Sequence, residues 1–305
     1  MYRYRAFGLQ IESDWQLPEL AAASGQSDVD PDVRIVTGDI GRSIPAPDCP
    51  PIFDYEDPHG VVMIWPQVGG FRIRAPDIIE MQPAPTAKRE YLAFPLLGPV
   101  MAWLLHMRGR MILHASALKW EGRAIGFLGD KMAGKSTTAA AFLRDGGELL
   151  TDDLLVFDMD DPAHPIIQPA FAQLKLDDQA ASAVSVAYAQ PLPLIMEGFP
   201  KRQHRLDRLA ETPVACDALF ILERNGAAGG IEWLDEVEAL KGLIRFSYNV
   251  RFAHAPLAMQ ERGRHFQHCA ALARCVKVGV LHVPDDLGRL PETVQRVGRA
   301  LGVRE

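Results

Sequence analysis

The octapeptide Gly129-Asp130-Lys131-Met132-Ala133-Gly134-Lys135-Ser136 restricts this chain more than any other run of its residues. It fits the spacing G-x-x-x-x-G-K-[ST] at every defined position. The strand-like run Arg123–Gly129 (RAIGFLG) leads into it, and Thr137–Arg144 (TTAAAFLR) follows as a helix-forming run stopped by Gly146-Gly147. Strand, glycine loop and helix are the setting in which this spelling holds a nucleoside triphosphate. Inward-turned backbone N–H groups supply many donors in a small space. Gly129 and Gly134 permit the backbone angles, and the helix start adds its positive end. Lys135 is placed for the β- and γ-phosphates and the Ser136 hydroxyl for Mg²⁺, with Thr137 completing the segment.

Binding alone is not catalysis, because phosphoryl transfer also needs an acid that meets the acceptor and a hold on the metal. Asp152 and Asp153 are the candidates, within the strand-like run Glu148–Asp158 (ELLTDDLLVFD). Neighbouring strand residues face opposite ways, so both acids reach one site only at a strand end or bulge. His114 lies in the strand-like run Met111–Trp120 (MILHASALKW), which the Glu121-Gly122 turn folds back on the loop strand. From there it is placed to face the γ-phosphate, although a histidine in an apolar run also serves as a core residue.

Around this unit the chain divides at residue 86. Residues 1–86 read as a small β-rich domain, with strands at Tyr2–Ile11, Val33–Thr37, Val61–Trp65 and Phe71–Arg74 between breaker-rich stretches. Residues 87–305 alternate strands (Ala218–Glu223, Val276–His282) with helices (Glu236–Tyr248, Gln260–Arg274, Pro291–Leu301), the pattern of an α/β domain. The apolar run Tyr91–Met107 is interrupted by Pro95, Gly98, Pro99 and His106 and falls short of a span, which makes it a buried helix. No membrane association is expected.

A formal net charge of -7 argues against a nucleic-acid partner. The charge is uneven: Met1–Gly60 has four Arg against eleven acids, and Leu240–Glu305 has eleven Lys or Arg against five. The basic end suits either phosphate or an acidic peptide, or is a solvated helix surface. Four cysteines without metal or disulfide spacing, and no secretion signal, suggest a reduced, cytoplasmic protein.

Taken together, these residues resemble the HPr kinase/phosphorylase family, a P-loop group related in fold to phosphoenolpyruvate carboxykinase. The family loop G-D-S-G-x-G-K-S is matched by G-D-K-M-A-G-K-S, a histidine precedes it as His114 does, and an Asp-Asp pair follows as Asp152-Asp153 does. The likeness is strongest over Met111–Phe157, about a sixth of the chain, and traceable to Leu287. The opening YRAFGLQIESDWQLPEL and the HASAL segment resemble a narrower branch, the kinases of lasso-peptide gene clusters that phosphorylate a precursor peptide, typically at its C-terminal Ser.

The resemblance implies an α/β P-loop core of the HPr kinase/phosphoenolpyruvate carboxykinase type, with ATP and Mg²⁺ as ligands. It gives Asp152 the role of base and Asp153, with Ser136, that of metal ligand. The acceptor implied is a serine of a peptide or protein. A small hydroxylated metabolite or free amino acid, and a non-enzymatic nucleotide switch, remain alternatives. Lys131, Met132 and Ala133 replace the family's small loop residues. The family's later metal-binding Glu and Arg-Gly-x-Gly are not recognisable, and IIQPAFAQLKL stands there with Gln168 as the nearest polar residue. That departure leaves phosphorylase activity, HPr as substrate and a homo-oligomeric assembly open. Lys201, Arg202 and Arg205 (KRQHR) form a basic cluster that suits phosphate or acceptor contacts, or an exposed loop.

Overall fold

The structure is a computed structural model and describes residues 1–23, 30–85, 87–171, 173–184, 189–194, 201–206, 209–224, 230–252, 255 and 259–304. Eight strands between Tyr2–Ala6 and Ile78–Pro83 form one sheet. Its first expected strand, Tyr2–Ile11, is instead a hairpin of Tyr2–Ala6 and Leu9–Ser13. The chain turns at Phe7 (φ 56°) and Gly8 (φ 75°), the paired left-handed geometry that two-residue hairpins favour. Phe7 accepts that backbone because its ring is fully buried, edge-on to Phe171 at 5.9 Å.

The run after the sheet is buried and helical, as its composition implied. It is broken, however: Gly98 (φ −102°, ψ −110°) leaves helical geometry just before Pro99, and Met101–Met107 resumes the helix. Leu96, Leu97, Val100, Met101, Leu104 and Leu105 pack into the same apolar cluster as Phe71, Ile73 and Met81 of the sheet. Ile112, Leu154, Val156 and Tyr248 belong to that cluster too, so the core continues across residue 86. Among the described residues no helix is long and apolar enough to cross a membrane.

A second, six-stranded sheet carries the glycine loop 129–136 at the end of one of its strands. Its order is Glu148–Thr151, Ala115–Trp120, Arg123–Leu128, Ala218–Arg224, Lys277–Val283, Ile231–Trp233. The loop strand Arg123–Leu128 runs parallel to Ala218–Arg224, which runs parallel to Lys277–Val283. Helix Lys135–Arg144 buries Ala139, Ala140 and Phe142 on this sheet, with Phe142 edge-on to Trp120 at 5.1 Å. Smaller sheets of four strands (Val214–Ala215, Ile166–Gln168, Leu155–Asp158, Met111–Leu113) and three (Gln173–Leu176, Arg202–Leu206, Ala189–Leu194) flank it.

Two expected strands are each divided between sheets. Met111–Trp120 breaks at His114, and Glu148–Asp158 breaks at Asp152-Asp153-Leu154. On one side of the break Leu113 pairs with Leu155 in the four-stranded sheet; on the other Ala117 pairs with Thr151 in the six-stranded one. Two antiparallel strands therefore change sheet at the same level. The chain turns there through Asp153, whose φ of 80° is left-handed, a conformation Asp tolerates better than most residues. The Thr151 hydroxyl braces the turn by donating to the Leu154 carbonyl at 2.6 Å.

Candidate functional site

The loop leaves the edge of its strand at Gly129 (φ 154°) and enters the helix through Gly134 (φ 96°). A Cβ on Gly129 would lie 2.8 Å from the Ala133 Cβ, and one on Gly134 would lie 2.8 Å from Arg224 Nη2. Both positions are glycine for backbone angle, and Gly129 for space as well, since the Arg224 guanidinium near Gly134 could shift aside. Between them Ala133 N–H donates to the Asp130 carbonyl at 3.1 Å, and Met132 takes φ 70° with its side chain 61% exposed. The first-turn N–H groups of the helix open toward this cradle, where an anion is stabilised by them and by the helix dipole. The Lys135 ammonium donates to the carbonyls of Gly129 and Asp130 at 3.0 and 3.2 Å, so the side chain crosses the loop it belongs to. Asp130 is exposed and pairs with Arg245 at 2.7 Å.

Beneath the loop lies Asp152. It is 3% exposed and accepts from three groups: Ser116 Oγ at 2.5 Å, Ser136 Oγ at 3.0 Å and the Lys175 backbone N–H at 3.0 Å. Burial and the neighbouring Asp153 charge raise its carboxyl above the usual range, and the hydrogen bonds only partly offset them. Asp153, next in sequence, is more open. Its carboxylate forms an ion pair with the Lys175 ammonium. Burial works against its ionised form, but Lys175, His114 and Lys135 outweigh burial and hold it well below the usual carboxylate range. His114 Nδ1 lies 3.2 Å from the Asp153 carbonyl oxygen. A carbonyl only accepts, so Nδ1 carries the proton there.

The sheet change is what collects these groups. It places His114, Ser116, Asp152 and Asp153 at one level beside the loop, and both acids are at the site because neither sits in a regular strand. Lys175 is the residue that sequence reasoning passed over. It lies on the strand Gln173–Leu176 within the IIQPAFAQLKL segment, touches both acids, and has its ammonium 5.0 Å from the Phe94 ring centre. The signal in the sequence was one cation inside an apolar strand. Gln168, by contrast, packs under the Gly8 turn, where a Cβ on that glycine would lie 2.7 Å from its Oε1.

The basic cluster is divided. Along the strand Arg202–Leu206, Arg202 pairs with Leu176 and Arg205 with Gln173. Alternation therefore puts Arg205 on the Lys175 face and Arg202 on the other, while Lys201 precedes the strand. Several cations of the basic C-terminal end are taken up in surface ion pairs: Arg245 with Asp130, Arg289 with Glu292, Arg304 with Glu121 and Asp145.

The donors suit a magnesium nucleotide. Ser136 and Asp152 bring a hydroxyl and a carboxylate together at the base of a glycine cradle. Mg²⁺ bound largely through phosphates and water asks for no more than one or two protein oxygens. Among the described residues there is no group of three or more His, Cys, Asp or Glu placed to hold a metal ion.

No family model matches the chain, and no curated protein matches it. Among solved structures it is similar to the HPr(Ser) kinase/phosphatase from Coxiella burnetii, at 12% identity over 62% of this chain and 90% of that one, with a TM-score of 0.32. So loose a likeness transfers no residue roles, and those rest on the geometry of the loop and the acid pair.

Proposed function

We propose that this protein is an ATP-dependent kinase that phosphorylates a serine hydroxyl of a peptide or protein. The observation that carries the reading is the contrast between the two acids at the loop: one is buried on the loop serine, and its neighbour is partly exposed and held by a lysine. A triphosphate-binding switch has no physical need for the second.

In this reading the loop N–H groups and Lys135 hold the β- and γ-phosphates, with Lys135 released from its own carbonyls as the anion enters. Ser136 and Asp152 would hold Mg²⁺, which neutralises charge on the phosphate oxygens when bound. The acids thereby exchange the places expected from sequence. What supports the exchange is accessibility: Asp152 is enclosed by three donors, whereas an acceptor can approach Asp153. Asp153 accepts a hydrogen bond from the acceptor hydroxyl and orients it; being a weak base, it takes the proton late, as oxygen attacks the γ-phosphorus and the bond to the β-phosphate oxygen breaks. Lys175 keeps Asp153 ionised and in place. His114, anchored through Nδ1 on the Asp153 carbonyl, stands beside the same acid and favours its ionised form.

Incubation of the full chain with ATP, Mg²⁺ and serine peptides should add the mass of one phosphate to a peptide. The first peptide to try is one encoded beside its gene, with a C-terminal serine as in a lasso-peptide precursor. Saturable ATP binding with no transfer to any peptide, but with transfer to a free hydroxylated metabolite, would move the acceptor class. Binding with no transfer at all would leave only the switch.

A further inference from the structure

A cavity of about 580 Å³ opens at the seam between the eight-stranded sheet and the rest of the chain, a size typical of ligand sites. Its walls are the Trp15–Glu19 segment after the strand Leu9–Ser13, the helical segment Arg89–Ala93, and Gln203. Two of these walls lead to the acid pair. Gln203 is the cross-strand partner of Lys175, so both side chains leave the same face of the three-stranded sheet. Phe94, one residue beyond Ala93, carries the Lys175 ammonium over its ring. Gln203 is thus a neighbour of Lys175 across the strand pair, Ala93 is a neighbour along the chain of a residue that touches the Lys175 side chain, and Lys175 is the partner of Asp153.

Its chemistry is uneven. Glu19 lines it, is only 8% exposed, and has a buried Oε2 that meets no hydrogen-bond donor. Burial pushes that carboxyl up, with its own backbone N–H and the Arg205 charge opposing more weakly. Asp14 and Glu90 add two carboxylates to the lining. The cation beside them, Arg89, lies 4.8 Å over the Trp15 ring. A buried acid with an unmatched oxygen is costly unless a ligand supplies the missing donor.

We propose that this cavity is the acceptor subsite and that Glu19 receives a cationic nitrogen, an amine or guanidinium carried by the molecule whose hydroxyl is phosphorylated. Its role as acceptor subsite rests on the kinase reading; its preference for a cation does not. Side-chain amines of a peptide and small amino alcohols share this chemistry, and the test separates them.

Calorimetric titration of the full chain without nucleotide would use three probes: a hexapeptide with adjacent lysine and serine, the same peptide with norleucine for lysine, and ethanolamine. The lysine peptide should bind about tenfold or more tightly than its norleucine counterpart. Glu19→Gln should remove that difference without lowering the melting temperature, because the amide keeps the side chain's size and replaces a carboxyl that burial disfavours and whose Oε2 has no hydrogen-bond partner. Tight ethanolamine binding would assign the site to small amino alcohols; binding of the lysine peptide alone would assign it to peptides. Equal binding of the two peptides by the unmodified protein overturns the proposal, whatever the variant does. Selective binding without phosphoryl transfer to the bound peptide would sink the kinase reading and keep the cation site. Transfer to both peptides with equal KM would do the reverse.

Discussion

Asp152 and Asp153 are adjacent and chemically identical, and their surroundings give them different work. The Ser116, Ser136 and Lys175 donors close around the first, while the left-handed turn swings the second out toward Lys175. Substitution separates them. Asp152→Asn should raise the Mg²⁺ concentration needed for half-maximal turnover, since the oxygen beside Ser136 loses its charge. Asp153→Asn should leave ATP affinity and Mg²⁺ dependence near normal and lower kcat by about 10²–10⁴-fold, the usual contribution of a positioned acid or base. The opposite pattern in steady-state kinetics would return the base to Asp152. At this scale spacing pointed to residues that the structure does gather beside the loop, and the resemblance assigned the base to Asp152, the reverse of the proposed assignment. Both acids, His114 and the loop could be named from spacing, but that Asp153 turns outward while Asp152 stays enclosed depends on the φ of one residue. Lys175 could not be named, because a single lysine in LKL reads as the wet side of a half-buried strand.

Elements were legible where periodicity and breakers agree. Helices Glu236–Arg245, Met259–Cys275 and Leu290–Ala300 begin and end within a few residues of their expected bounds. The sheet change was hidden, because MILHASALKW and ELLTDDLLVFD keep one apolar character on both sides of the break, and side-chain alternation says nothing about which neighbour a strand pairs with. Two helices meet through histidines, and this contact predicts a pH dependence. His106 on Met101–Met107 and His265 and His268 on Met259–Cys275 are all depressed, each chiefly by burial, His265 to about 4. Glu261, 3.8 Å from His106, favours the charged form, and Arg264 opposes it. Near pH 7 these rings are neutral in both states and cost nothing. As pH falls from about 6.5 toward 4 the unfolded chain takes up protons first, so stability is lost in that window. Melting temperature should therefore drop between about pH 6.5 and 5, before most carboxylates titrate, and His265→Gln should flatten the drop. An unchanged slope in that variant would remove His265 from the account.

For the whole molecule, the boundary near residue 86 marks where one sheet ends, but the packing does not stop there. Phe71, Ile73 and Met81 share a cluster with Leu96, Met101, Leu105, Val156 and Tyr248, so each half buries apolar surface that the other would expose. A chain lacking residues 1–85 should fail to fold or should aggregate, and the full chain should melt in one transition by both circular dichroism and tryptophan fluorescence. Two separate transitions would show that the shared cluster contributes little. The same continuity sets terms for inheritance and for engineering. A recombination breakpoint near residue 86 would separate faces that cover each other, so the halves are not exchangeable modules and should pass between genes as one piece. Added sequence is better carried by the exposed turn Asp160–His164 between the strands Leu155–Asp158 and Ile166–Gln168, where a tag or inserted domain meets solvent and leaves both the seam and the phosphate loop intact.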